Sequence, residues 1–339
     1  MKRRAAVLGL LALGSAPIAS IAQPIAGAAR IGFLGSASAA GLASSLEALR
    51  SGLRDLGYIG NRDIVIEFRW AEGRYERLEK LATELVRLKV DVLVTYGTPG
   101  IRAAKRATTT IPIVMAASAD AVATGLVASL ARPDGNVTGL TIFGPEITAK
   151  RLELLKEAFP RARNVAVLFN PDTRGAGSRP MEIASKSFNV ELQRIGVRGP
   201  GEFANAFSEM VTKRVDAVLI TQEPMLNAYP KEIANLAARH RLPLIGFTDL
   251  ADAGGLLGYG VNFPELYRRA AYYVNKLLRG AACGPAGRAA FQVRAGDQPQ
   301  DRQGLRNHDP AVDLPARRPG DRIADLRIAE TGRALQRSR

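Results

Sequence analysis

Two short apolar runs constrain this chain more than any other feature. Val90-Asp91-Val92-Leu93-Val94-Thr95-Tyr96 is mirrored far downstream by Val215-Asp216-Ala217-Val218-Leu219-Ile220-Thr221. Each is apolar on both faces, as a strand must be when helices cover it above and below in a parallel sheet. Around the first run the pattern predicts strands at 30–35, 63–70, 90–96 and 111–116, with helices at 41–56, 74–88, 98–108 and 121–131 between and after them. It then restarts: strands at 136–142, 164–170, 190–197, 215–221 and 242–247, helices at 146–159, 179–188, 201–214, 227–241 and 264–280. Alternating β and α units imply doubly wound parallel sheets, and two such series imply two lobes with a cleft between them.

The ends of the chain differ from this body. Lys2, Arg3 and Arg4 precede the apolar stretch Ala5–Gly14, which is too short to span a bilayer. Ser20-Ile21-Ala22 then offers small residues where a signal peptidase reads, so residues 1–22 read as a secretion signal and place the protein in the periplasm. The single cysteine, Cys283, allows no intrachain disulfide and no cysteine-built zinc site, and it is not near the cleavage site, which argues against a lipoprotein anchor. Two histidines, His240 and His308, argue against a histidine-built metal centre. The formal charge of +15 is inflated by the signal and by residues 281–339, which carry 11 arginines against 7 acidic residues. A mildly basic body suits anionic ligands or an acidic partner surface. No basic run is interleaved with aromatics, so nucleic acid is not an expected partner.

In doubly wound sheets ligands bind at the carboxyl ends of strands, where helix N-termini present unpaired N–H groups. That rule selects Ser36 and Ser38 after the first strand, Gly97-Thr98-Pro99 after the third, and Ser118 and Asp120 after the fourth. Thr98 suits an N-cap with Pro99 at the first helical position. In the second series it selects the loops at Asn170, at Gln222-Glu223, at Phe247-Thr248-Asp249 and at Gly258-Tyr259. Each residue has a plainer use. Ser36, Ser38, Thr98 and Asp120 suit helix caps; Asn170 and Gln222 suit solvated strand ends; Tyr259 suits a hinge filler, and Trp70 a core or rim position. No nucleophile elbow, P-loop or dinucleotide fingerprint is present. His240, at a helix end, reads as a complement to the helix dipole rather than a base. No catalytic residue, cofactor or metal is expected.

Several segments resemble the substrate-binding proteins of ABC transporters related to the tryptophan-binding type. They are Arg30–Gly35, Gly52–Tyr58, Arg69–Gly73, Gly97–Pro99, Thr109–Val114, Gly125–Val127, Arg132–Gly139, Asn164–Pro171, Ala237–Pro243, Ala253–Leu256 and Tyr267–Ala271. The resemblance implies a type I periplasmic-binding fold, with a first lobe of about 30–140 plus 262–280 and a second of about 141–259. It implies that Gly97-Thr98 and the loop Ser118–Asp120 cradle the ligand's polar end, and that the first-strand loop and the second-lobe strand ends complete the pocket. Family members more often carry proline where Ala121 stands. The implied function is capture of a small carboxylated or aromatic, amino-acid-like solute and transient docking on a membrane permease. The alternatives are a sensory binding protein or, with no nucleophile–base pair to support it, an exported α/β enzyme. A monomer is expected.

The tail departs from the resemblance. Beyond Gly280 there is no lysine and little hydrophobic periodicity. A one-base shift of reading frame at Cys283 would permit a family-like closing strand and helix. Residues 283–339 therefore read as a frameshift product with poor order, against the alternative of a genuine basic extension.

Overall fold

The structure is a computed structural model that describes residues 27–281, apart from 132, 134 and 174–178, together with the dipeptides 294–295 and 327–328. The predicted signal and nearly all of the predicted tail lie outside the described residues.

Two parallel sheets of five strands form the frame. The first contains β1 (Ala29–Gly35), β2 (Ile64–Trp70), β3 (Val92–Tyr96), β4 (Ile113–Ala119) and β5 (Val137–Ile142), in the order β5-β4-β3-β1-β2. The second contains β6 (Asn164–Phe169), β7 (Glu191–Gly196), β8 (Ala217–Ile220), β9 (Leu244–Gly246) and β10 (Leu257–Gly258), in the matching order β10-β9-β8-β6-β7. Arg294–Ala295 (β11) pairs parallel beside β5, and Arg327–Ile328 (β12) antiparallel beside β10. The two mirrored apolar runs occupy equivalent central places as β3 and β8. In each sheet the order reverses beside them, between β1 and β3 and between β6 and β8.

The helices are α1 (Ala43–Asp55), α2 (Leu78–Arg87), α3 (Gly97–Ala107), α4 (Gly144–Ala158), α5 (Arg179–Ser187), α6 (Phe203–Thr212), α7 (Pro224–Asn227), α8 (Pro230–Arg239), α9 (Thr248–Asp252) and α10 (Phe263–Leu278). Helix α10 returns to the first sheet, packing on α1, β4 and β5. Leu78, Leu81 and Leu85 on α2 and Ile101 and Ala104 on α3 cover the sheet's other face. In the second lobe α6, α8 and α9 bury Phe203, Phe207, Ile233 and Leu250 on one face, while α4 and α5 close the other. Among the described residues the chain passes between sheets at Phe143, before α4, and at 260–262, before α10.

Three sequence expectations are corrected. The helix expected at 121–131 is a series of turns. Asp120 Oδ1 accepts from the N–H of Val122 at 3.1 Å and of Ala123 at 3.0 Å, and Gly125 takes a left-handed φ of +69°, so side-chain and backbone geometry compete successfully with helix there. The helix expected at 227–241 starts later, as α8, with Pro230 in its first turn, and a separate one-turn helix, α7, precedes it at Pro224–Asn227 where none was expected. The short elements α9 and β10 fall where no helix or strand was expected.

Candidate functional site

The carboxyl edges of both sheets face a common cavity of about 480 Å³, within the range of small-molecule sites. From the first lobe it is walled by Leu42, Tyr75, Leu78, Tyr96, the start of α3 and the loop after β4. From the second lobe come Thr148, Asp172, Thr173, the segment Thr221–Pro224 and Asn227.

The start of α3 explains its glycine. Tyr96 is extended and Gly97 turns the chain with φ +69°. This places Gly97 at the first helical position and Thr98 at the second, so the expected Thr98 cap is corrected: no side chain caps α3. The positive end of an 11-residue helix thus borders the cavity. After β4, Ser118 is buried and donates to Leu140 O at 3.4 Å. Asp120 uses one carboxylate oxygen on its own turn; the other takes no part in it.

Gly97, Thr98, Pro99, Ser118, Asp120 and Gln222 line the cavity together. The other five expected residues do not appear in its wall. Ser36 is buried with its hydroxyl toward Tyr96 O, and Ser38 accepts from the Gly41 N–H. Asn170 is buried, and its Oδ1 accepts from the Asp172 N–H at 2.9 Å. Phe247 packs in the second-lobe core at the N-cap of α9. Tyr259 is buried, and its carbonyl accepts from Arg151.

The sequence did not mark Tyr75, which joins the lobes. Its hydroxyl donates to the Glu223 carboxylate and accepts from the Met225 N–H at 3.2 Å. Glu223 is only 2% exposed; it caps α7 by accepting from the Leu226 N–H at 2.9 Å. Burial pushes its carboxyl up to about 7, with Asp172 adding to the effect and the Tyr75 and backbone hydrogen bonds opposing it. Burial, then the neighbouring Glu223, also raises the Tyr75 phenol. Apolar contacts flank this bond: Gly97 lies under Pro224, Gly73 under Met225, and Gly41 against Ala228. The lobes are therefore closed on each other around the cavity.

The family described as "ABC transporter substrate binding protein" matches residues 31–292. A curated relative, the "Tyrosine-binding protein" of Clostridioides difficile (strain R20291), is 28% identical over 235 residues, 68% of this chain and 67% of that protein. Among solved structures, an ABC domain from Streptococcus pneumonia in complex with L-Trp aligns with a TM-score of 0.71 at 22% identity, over 80% of this chain and 90% of that one. A conserved domain protein from Vibrio cholerae aligns with a TM-score of 0.72 at 23% identity, over the same shares. These structural likenesses concern the fold.

Proposed function

The chain belongs to the family of ABC transporter substrate-binding proteins, and from that premise we propose that it is the extracytoplasmic capture component of an importer, taking an aromatic, zwitterionic amino acid between lobes 30–140 plus 262–280 and 141–259. The family consists of solute-binding proteins, not enzymes. The observation that carries the reading is the cavity between the two sheets, walled by strand ends and helix starts from both. Its apolar wall, with Leu42, Leu78, Tyr75, Tyr96 and Phe263, suits a ring; its polar wall suits charged ends. The tyrosine-binding relative and the L-Trp-bound structural neighbour support the ligand class. Ligand contacts made to both lobes favour the closed form, which a membrane permease then recognises.

Thermal shift and calorimetry on the purified protein with aromatic and aliphatic amino acids test this. A shift is expected with L-tryptophan or L-tyrosine and little with small aliphatic amino acids. No shift across the panel would overturn the ligand class.

The Tyr75–Glu223 contact gives capture a pH dependence. Around Glu223 stand Tyr75 and Tyr96 from the first lobe and Asp172 from its own, with Glu79, Arg102, Arg106, Asp120 and Asp249 elsewhere on the cavity wall. In the closed form the carboxyl sits at about 7; when the lobes part it is rehydrated and returns toward its ordinary 4.5. Closure therefore takes up a proton. Its added stability is complete below about 4.5 and is lost as pH rises through about 7. Affinity is expected to fall on the order of tenfold from pH 6 to pH 8, and Glu223→Gln should flatten the profile. A wild-type affinity constant over that interval, measured by calorimetry, would dissolve the coupling.

A further inference from the structure

The amino edge of the second sheet, at the opposite end of its strands from the cavity, carries a row of arginines. Arg163 stands just before β6, Arg214 before β8 and Arg241 before β9, while Arg239 ends α8. Strands β9, β8 and β6 are neighbours, so the three strand starts follow one another at steps of about 4.8 Å. Hydrogen bonds knit them together: the Asp216 N–H donates to Asn164 O at 2.7 Å, the Val218 N–H to Pro243 O at 2.8 Å, and Asn164 Nδ2 to Lys213 O at 2.9 Å. All four arginines are exposed, and none forms an ion pair among the described residues. The acids between them are committed. Asp216 Oδ2 accepts from the Arg163 and Asn164 N–H groups, both at 2.8 Å, and Glu209 pairs with Lys213 at 2.8 Å. Further along the edge Arg161 and Lys186 balance Glu157 and Glu191 in number.

A cation at a helix end ordinarily complements the helix dipole. Two of these carry a cost that the dipole does not require. Arg214 and Arg241 take left-handed φ values of +52° and +56°. Each follows a helix and closes it with a pair of backbone bonds. The Arg214 N–H donates to Val211 O and the Val215 N–H to Met210 O; the Arg241 N–H donates to Ala238 O and the Leu242 N–H to Ala237 O. Glycine takes this position without strain. The chain uses it so at Gly57, Gly254 and Gly280, after α1, α9 and α10. After α6 and α8 it holds a positive charge there instead. Val211, 46% exposed, stands one turn before Arg214 and sets an apolar side chain beside the row.

We propose that this edge is a docking surface for the phosphate headgroups of an anionic lipid bilayer, with Arg163, Arg214, Arg239 and Arg241 as its contacts. Guanidinium forks match phosphate oxygens two at a time. The row is spread along a sheet edge rather than gathered in a pocket, which suits a plane of many phosphates. Because the cavity lies at the other end of the same strands, docking here leaves it uncovered. The inference holds whichever solute the cavity takes.

Sedimentation of the full chain with vesicles tests it. Wild type is expected to sediment with vesicles of equal parts phosphatidylglycerol and phosphatidylcholine, not with phosphatidylcholine alone, and to be released as salt rises from about 50 mM to about 500 mM. Arg214→Gly combined with Arg241→Gly is expected to bind the anionic vesicles about 20-fold more weakly, yet to melt no lower than wild type, since both turns lose their strain. Arg87→Gln combined with Lys89→Gly removes the same charge from the first lobe, where Lys89 also has a left-handed φ of +53°. That variant is expected to bind within about twofold of wild type. No wild-type sedimentation, or equal binding by wild type and the double glycine variant, overturns the surface. Equal losses in the two double variants would trace the attraction to overall charge and overturn it too. A lower melting temperature of the double glycine variant would make the arginines part of the fold's own closure, which also overturns it. If soluble polyglutamate at matched charge displaces the wild type from the vesicles, an acidic polypeptide is the better fit and the lipid surface falls.

Discussion

Leucine in place of Gly41 is expected to weaken solute capture by more than about 100-fold while leaving each lobe folded. Gly41 belongs to the short 3-10 turn 40–42 before α1, on the first lobe. A Cβ there would stand 2.7 Å from Ala228 Cβ, 2.9 Å from its Cα and 3.1 Å from its carbonyl oxygen, all on the second lobe. Two of these are backbone atoms and cannot swing aside. A longer side chain would hold the lobes apart and separate Tyr75 from Glu223. The solute would then meet one wall at a time and lose the contacts that favour closure. Calorimetry with L-tryptophan or L-tyrosine, alongside the melting temperature of the ligand-free variant, measures both halves of the expectation. Wild-type affinity in a well-folded variant would show that Gly41 and Ala228 do not meet in the bound form.

Alanine in place of Gly139 is expected to cost about 4 kcal/mol or more of folding stability, a large share of what a domain possesses. Gly139 lies in the middle of β5 at φ +128°, where residues with a side chain are strained. Its Cβ would fall 2.2 Å from Met115 O, 2.7 Å from Met115 N and 2.9 Å from Met115 C. Met115 is its strand partner on β4, just before the register shift ahead of Ser118. Relief would require β4 and β5 to move apart, which would disturb the Ser118–Asp120 loop as well. The melting temperature is expected to drop by about 10 °C or more. A drop of less than about 2 °C would mean that the strands are less tightly apposed.

Much of the frame was legible because buried parallel strands announce themselves. The runs at 90–96 and 215–221 became β3 and β8, and the turns after them became cavity wall. What failed was local competition and long-range contact. The stretch 121–131 has helix-like apolar spacing, yet a single aspartate and a glycine divert it. Tyr75 and Glu223 lie far apart in sequence, and nothing local to either signals their meeting. Arg151 is an intermediate case. Ile147, Thr148, Arg151, Leu152 and Leu155 form the buried stripe of α4, so a cation sits where helical periodicity calls for an apolar residue. That misfit was readable in the sequence as a buried charge, though its partners were not.

The contacts that span the two sheets also govern time. A solute held between the lobes is retained by Tyr75–Glu223 and by the flanking glycine seams, which must part for the lobes to separate. Its escape therefore waits for the lobes to swing about the crossings at 143 and 260–262. Residence time then has a floor set by a mechanical step belonging to the protein, so solutes of unequal affinity should share a common fastest exit rate and differ mainly in how often reopening is followed by recapture.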